Sequence, residues 1–195
     1  MKHLKRFNEI VETDGIKFNL ESLFPEIKNL EKIGSGQLGH AYLGTIGNDL
    51  VVVKMTNSTS EYYMSKLAMI SNPPNTVKFH VVKVFDKSKF LYGIVHDYVS
   101  RDAMPDKDTW DLARRAVDGK VAQEVLDKRL KTREQKYEFN IIKNKIKELE
   151  DHFFGVEIDT LWQNWGYDSD RNLVIFDLDG NMSKPKYEQF LKKYQ

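Results

Sequence analysis

Leu30-Glu31-Lys32-Ile33-Gly34-Ser35-Gly36-Gln37-Leu38-Gly39-His40-Ala41-Tyr42-Leu43-Gly44, followed shortly by Leu50-Val51-Val52-Val53-Lys54, is the stretch that decides the fold. Apolar, β-branched and aromatic residues flank a glycine-rich centre, and Gly47-Asn48-Asp49 separates the second run from the third. Runs of that composition, bounded by Gly, Asn and Asp, read as strands joined by hairpin turns. The pattern G-x-G-x-x-G at Gly34, Gly36 and Gly39, with Ser35 between the first two, therefore lies between two strands. A dinucleotide-binding version would open a helix and carry an acid about twenty residues on. Between strands, such glycines let the backbone approach phosphate oxygens with no Cβ in the way; an ordinary glycine-rich hairpin is the alternative. Lys54 follows Gly39 by fifteen residues and ends an apolar strand. An ammonium there must reach water or an anion, so it is either a snorkelling lysine or a phosphate ligand.

Working outward, a short helix from Glu61 to Ile70, ended by Asn72-Pro73-Pro74-Asn75, precedes further strand-like runs over Val77 to Phe85 and Leu91 to Val95. The N-terminal Leu4, Phe7, Ile10 and Val11 have the spacing of an amphipathic helix. Past residue 100 the texture turns helical. Asp108 to Leu130 predicts one or two helices. Glu134 to Phe154 is the clearest, with Tyr137, Ile141, Ile142, Ile146, Leu149 and Phe153 as its apolar stripe and Gly155 as its stop. A loop, a strand-like run from Asn172 to Phe176 and a last helix over Ser183 to Tyr194 complete the order. The pattern predicts an α+β chain with an antiparallel sheet first and helices second.

Composition excludes more than it assigns. The 195 residues include 30 basic and 29 acidic side chains, a formal net charge of +1, which offers no field for nucleic acid or an acidic membrane. There is no cysteine, so disulfides, thiolate zinc sites and cysteine nucleophiles are excluded and a reducing cytoplasm is the expected location. The N-terminus lacks the apolar core of a signal peptide, and no run is long enough to span a bilayer. His3, His40, His80, His96 and His152 show no zinc-ligand spacing. The mixed charges of Arg114 to Lys136 predict a solvated helical surface or a docking face.

Two later segments carry oxygen ligands. Asp159-Thr160-Leu161-Trp162-Gln163-Asn164 places a carboxylate and an amide five residues apart. That is the spacing D-x-x-x-x-N, in which the carboxylate accepts a substrate hydroxyl proton and the amide oxygen ligates metal. Asp177 ends Leu173-Val174-Ile175-Phe176, thirteen residues after Asn164. That interval can hold a hairpin that returns Asp177 beside Asn164, so that both face one Mg²⁺.

Taken in order, the glycine loop, Lys54, Asp159 with Asn164, and Asp177 resemble a protein-kinase fold reduced to its minimum, over roughly residues 30 to 180. Phe90-Leu91-Tyr92-Gly93-Ile94-Val95-His96-Asp97-Tyr98-Val99 resembles the strand leading to the kinase hinge. The resemblance implies a two-lobe architecture: an antiparallel-sheet lobe over 1–98 and a reduced helical lobe over 99–195. It implies ATP and Mg²⁺ as ligands, with phosphates under Gly34, Ser35, Gly36 and Gly39. Adenine would meet the Asp97 carbonyl and the Val99 amide beside His96 as gatekeeper. Lys54 would orient the phosphates, Asp159 would be the base, and Asn164 and Asp177 would hold the metal, with Asp179 a weaker second ligand. Glu61 is either the ion-pair partner of Lys54 or a solvated acid at a helix N-terminus. The compactness is similar to small kinases of lytic bacteriophages and to truncated bacterial effector kinases. The activity implied is transfer of the ATP γ-phosphate to Ser, Thr or Tyr of a protein, autophosphorylation included.

The pattern also departs from the family. Gly180 stands one place late in Asp177-Leu178-Asp179-Gly180, Glu157 stands where the family has histidine, and Leu161 replaces the lysine that neutralises the transferred group. Eighteen residues follow Asp177, which predicts no full activation segment. These departures sustain a rival, a non-catalytic kinase-like module that contacts a host protein. Transfer to a small molecule shares the site but calls for a larger helical lobe. The string Val174 to Gly180 also matches the opening motif of haloacid-dehalogenase phosphatases, yet it stands at the wrong end of the chain for a parallel α/β domain. Trp162 and Trp165 are expected to pack beneath the Asp159 loop.

Overall fold

Residues 10–13, 16–36, 39–86 and 91–194 are described by the computed structural model. Strands β1 (Ile10–Thr13) and β2 (Ile16–Asn19) form an antiparallel ribbon ahead of a one-turn helix, α1 (Leu20–Leu23). The expected amphipathic helix is corrected here, because Ile10 and Val11 pair with Asn19 and Phe18. Leu4 and Phe7 lie outside the described residues. So short a segment gains more from ladder hydrogen bonds than from nucleating a single helical turn.

The runs that opened the sequence reading form a meander of β3 (Lys28–Gly36), β4 (Gly39–Ile46) and β5 (Asp49–Thr56). The β4–β5 turn uses Gly47 at φ +61°, a conformation that glycine adopts without Cβ strain. Helix α2 (Thr59–Ser71) follows, then β6 (Phe79–Asp86) and β7 (Leu91–Asp97). The five strands make one antiparallel sheet in the order β3-β4-β5-β7-β6. The chain is α+β, as its texture predicts.

Period-2 alternation gives β5 two unlike faces. Val51, Val53 and Met55 are fully buried among Phe24, Ile27 and Leu91 in an apolar cluster roofed by α1 and its C-terminal turn. Val52, Lys54 and Thr56 point the other way. Directly paired residues share a face. The register Gly34↔Ala41, Ala41↔Lys54, Lys54↔Ile94 therefore sets the first glycine and the lysine in one row across four strands. At about 4.8 Å per strand, Gly34 lies roughly 10 Å from Lys54 along that row.

The remaining elements are α3 (Lys107–Val117), α4 (Gln123–Arg129), α5 (Arg133–His152), a 3-10 turn (Trp162–Asn164), β8 (Trp165–Tyr167), β9 (Leu173–Ile175) and α6 (Lys184–Leu191). A reciprocal capping box between Thr132 and Gln135 starts α5. Its buried stripe is Phe139, Ile142, Ile146, Leu149 and Phe153. Tyr137, expected in that stripe, is exposed, since it precedes Phe139 by two residues and so faces round the helix. No residue of α4 is buried, as its charge predicts. The larger core crosses residue 98: Met64, Phe79 and Ile94 share it with Trp110, Ile142 and Leu178. Backbone bonds reinforce the junction, Val77 N–H to the Ile175 carbonyl (3.0 Å) and Ile175 N–H to that of Asn75 (2.8 Å). Strands β8 and β9 form an antiparallel hairpin, and Ile175 of β9 makes one isolated parallel bridge, to Thr76. Among the described residues no helix is long and apolar enough to cross a membrane.

Candidate functional site

Lys54 is the point where distant segments meet. Its ammonium lies 2.6 Å from Glu61 Oε1 and 2.8 Å from Asp177 Oδ1. Glu61 owes its place to the helix start: Ser58 is the N-cap of α2, and its Oγ accepts the Glu61 N–H at 3.1 Å. The carboxyl therefore sits one turn into the helix, on the side that faces the sheet. Of the two readings of Glu61, the ion pair holds; the side chain is 2 % exposed rather than solvated.

The electrostatics follow from that burial. Desolvation pushes the Glu61 carboxyl up to about 7 against the pull of Lys54, with Asp177 adding repulsion. Its second oxygen, Oε2, is buried and has no hydrogen-bond partner at ordinary distance among the described residues. Burial also works against the Lys54 ammonium, but Glu61 and Asp177 together outweigh it and hold its pKa above the ordinary lysine value.

The Asp159–Asn164 loop is tied down from below. Trp110, wholly buried, donates its Nε1–H to the Thr160 carbonyl at 3.0 Å, and it packs on Trp165 with ring centroids 5.1 Å apart. Trp162 donates to the Pro105 carbonyl at 2.8 Å. The tryptophans thus support the loop from beneath, as expected of Trp162 and Trp165, while Trp110 carried no signal in the sequence. The Asn164 amide donates through Nδ2 to the Asp159 carbonyl at 2.9 Å, which commits its nitrogen and makes its oxygen the atom able to take a cation. Asp159 Oδ1 accepts the Leu161 N–H at 3.3 Å.

The β8–β9 hairpin returns the chain to this loop. Phe176 N–H bonds the Asn164 carbonyl at 2.9 Å, and Asp159 N–H bonds the Asp179 carbonyl at 2.9 Å. Asp159, Asn164 and Asp177 are therefore neighbours through backbone bonds, and Asp177 reaches Lys54 directly. Asp179 is differently employed: its Oδ1 accepts from Gly180 N–H (2.7 Å) and Ser58 Oγ (3.4 Å). Gly180 is needed where it stands, because a Cβ would lie 2.2 Å from the Glu157 carbonyl oxygen. Leu178 is fully buried in the core.

The glycine turn joins this group only through the sheet. Gly36 pairs with Gly39, and Gln37 and Leu38 lie outside the described residues. The two outer glycines differ in what they serve. A Cβ on Gly39 would fall 1.7 Å from the Met55 carbonyl oxygen, so Gly39 serves the packing of β4 on β5, whereas a Cβ on Gly34 would meet nothing within 4 Å among the described residues. Ser35 is exposed, with its Oγ 3.0 Å from His40 Nδ1. At the other rim, buried His96 donates through Nδ1 to the Asp97 carbonyl at 2.8 Å, leaving that oxygen one lone pair. His96 stacks against Phe176 at 6.3 Å, and desolvation lowers its pKa to about 4. Val99 is buried, and Ser100 pairs with Tyr167 through bonds of 2.9 and 2.7 Å. Gly166 permits that approach, since a Cβ there would lie 2.8 Å from the Ser100 carbonyl oxygen. The Asp97 side chain pairs with His80 and borders a cavity of about 550 Å³ whose lining includes Leu50, Tyr98 and Tyr167 but not Lys54.

Whether these residues suit Mg²⁺ and a triphosphate is a question of donors and space. Among the described residues no three His, Cys, Asp or Glu side chains cluster as a metal cage. Mg²⁺ in phosphate chemistry takes one or two protein oxygens and fills the rest from phosphate and water, and Asn164 with Asp177 meets that demand. The space over Gly34, in the row of Lys54, is what a phosphate chain needs. The sequence matches no protein-family model and no curated protein.

Proposed function

We propose that this chain is a minimal protein-kinase-like enzyme of two lobes, 1–98 and 99–195, that transfers the γ-phosphoryl group of ATP to protein Ser, Thr or Tyr hydroxyls, its own included. The observation that carries this reading is the Lys54 ammonium held 2.6 Å from Glu61 and 2.8 Å from Asp177, beside an Asp159–Asn164 loop joined to Asp177 by backbone bonds. Bound Mg²⁺ would neutralise charge on the β- and γ-phosphates. In this reading Asn164 Oδ1 and the Asp177 carboxylate hold it. Glu61 aims Lys54 at the α- and β-phosphates, and Gly34 and Gly36 admit the phosphates to the sheet backbone. Asp159 takes the proton of the attacking hydroxyl. A new P–O bond forms to that oxygen, the bond between the γ-phosphorus and the bridging oxygen breaks, and ADP leaves. Positioning and charge do the catalysis, with no covalent intermediate. The reading puts the chain in the cytoplasm of the cell that makes or receives it, with ATP and a protein as partners and nucleic acid excluded by charge.

Leu161 supports a second reading. An apolar side chain where the family carries a lysine removes a cation from the transferred group, a type of loss that raises the barrier by about 3 kcal/mol; a module that binds a host protein without turnover has no use for that lysine. Labelled ATP, Mg²⁺ and mass spectrometry on wild type, Lys54→Ala, Asp159→Ala and Asp177→Ala separate the two. Incorporation by wild type, lost in all three variants, is the expected result. Mg-ATP binding without incorporation into the chain or into any protein of a cell extract would select the binder.

A further inference from the structure

Helix α2 carries Glu61, and contacts at its start and middle seat it on the segment that follows Asp177, with His152 of α5 bridging the two at its end. At its start, Ser60 Oγ donates to the Gly180 carbonyl and accepts the Met182 N–H at 3.0 Å, while Ser58 Oγ donates to Asp179. Along its middle, Tyr63 stacks on Tyr187 of α6, ring centroids 5.0 Å apart and planes at 29°. The Lys66 ammonium lies 5.6 Å from the Tyr62 ring and 5.7 Å from that of Tyr187. At its end, His152 Nε2 lies 3.1 Å from both Ser71 Oγ and Tyr194 OH. On its opposite flank, Tyr62 stacks on Tyr92 of β7 at 4.4 Å. Helix α6 itself is set by Ser183 at its N-cap and by buried Tyr187 and Phe190.

We infer that α6 with the 179–182 turn is a clasp that holds α2 against the sheet, and that Tyr187 is a positioning residue for the Lys54–Glu61 pair. The physical case is one of leverage. Glu61 is one helical turn from Ser58 and adjacent in sequence to Ser60 and Tyr62, so α2 cannot move away from α6 without drawing the carboxyl from Lys54. The pair by itself is a poor anchor, because Glu61 is buried with Oε2 unsatisfied among the described residues, and desolvation offsets much of the attraction between buried charges. The stacking of uncharged Tyr63 and Tyr187 on the α6 side carries no such penalty. The clasp thus supplies from one short helix the rigidity that the charge pair lacks.

This inference rests on the phosphoryl-transfer reading for its consequence but not for its test. The experiment compares wild type with Tyr187→Ala, Tyr187→Phe and Lys66→Met in the full chain, with two readouts. One is Mg-ADP affinity by calorimetry. The other is the titration of Glu61 followed by carbon NMR with labelled glutamate. Tyr187→Ala should weaken Mg-ADP about tenfold and bring the Glu61 carboxyl down from about 7 toward the ordinary carboxylate range as water reaches it. Tyr187→Phe, which keeps the ring, should retain both values. If Tyr187→Ala fails to fold, Lys66→Met, which removes the cation between the rings and leaves the core intact, carries the same readouts with a shift of the same sign. Unchanged Glu61 titration in a folded Tyr187→Ala, or in Lys66→Met where that variant stands in, would overturn the clasp. Absence of Mg-ADP binding by wild type would instead overturn the functional reading, and the Glu61 titration would still decide the clasp.

Discussion

The two faces of β5 make opposite uses of one run of sequence. Val51, Val53 and Met55 enter an apolar cluster with α1 and its following turn, where hydrophobic area and close packing stabilise the sheet. Val52, Lys54 and Thr56 face the helices. There an apolar core that holds Met64 and Ile94 lies beside buried charged or polar groups, Glu61, His96 and Thr56, whose net contribution to stability is small or negative. Residues one apart therefore serve different ends. The α1 face holds the strand in place, and the other presents an ammonium to a nearby carboxylate, Glu61, and a distant one, Asp177.

The largest effect that would sharpen this contrast is on the polar side. Asp177→Asn should leave the fold intact and reduce phosphate incorporation by at least a thousandfold, about 4 kcal/mol of barrier, measured with labelled ATP; transfer that persists would remove Asp177 from the metal. On the apolar side, Met55→Ala should destabilise by about 3 kcal/mol through a cavity, read in urea titrations. Mg-ADP affinity of the folded molecules should stay within about twofold. A matching loss of affinity would show that the two faces are not separable.

His96 tests the polar face by pH. Its pKa is lowered from 6.5 to about 4 in the folded chain, so the native state binds fewer protons than the unfolded one between those values. The contribution of His96 to stability is complete above pH 6.5 and falls as pH drops toward 4, by about 3 kcal/mol at the limit. His96→Phe should flatten that segment of the profile, and a profile unchanged by the substitution would place the acid sensitivity elsewhere. The smallest stability effect is expected at Gly34→Ala, within about 0.5 kcal/mol, since no atom of the described residues lies near the new Cβ. Gly39→Ala should cost about 2 kcal/mol by forcing β4 from β5. Weaker Mg-ADP binding by stable Gly34→Ala would support the space over Gly34 as the phosphate site, and unaltered binding would remove it.

Much of the scaffold was legible before any coordinates. The runs from Leu30 to Val95 read as strands and lie in the five-stranded sheet, because their period and punctuation are local properties. The helix over Glu134 to Phe154 was legible for the same reason, although it ends at His152, with Phe153 as its cap, ahead of Gly155. Tyr137 was misplaced because periodicity tells which residues share a stripe, and Phe139 offered a competing one. Ile10 and Val11 were misread because a short apolar spacing fits a helix turn and a ribbon equally well. Ser60, Trp110 and Tyr187 gave no signal, since each acts on a partner 30 or more residues away, as when Trp110 bonds Thr160 or Ser60 bonds Gly180 and Met182.

The amino-acid order alone determined the α+β texture, the turn at Gly47-Asn48, the chemical types available for a site and, through the spacing of Asn164 and Asp177, a hairpin able to bring them together. Tertiary structure alone decided that Glu61 is buried against Lys54, that Asp177 completes the group, that Gly39 serves packing while Gly34 stands clear, and that α6 reaches back to α2. The division has one physical reason. Period, propensity and capping act over a few residues and are written in sequence, whereas the burial and charge of a side chain depend on neighbours that only the folded chain brings within a few ångströms.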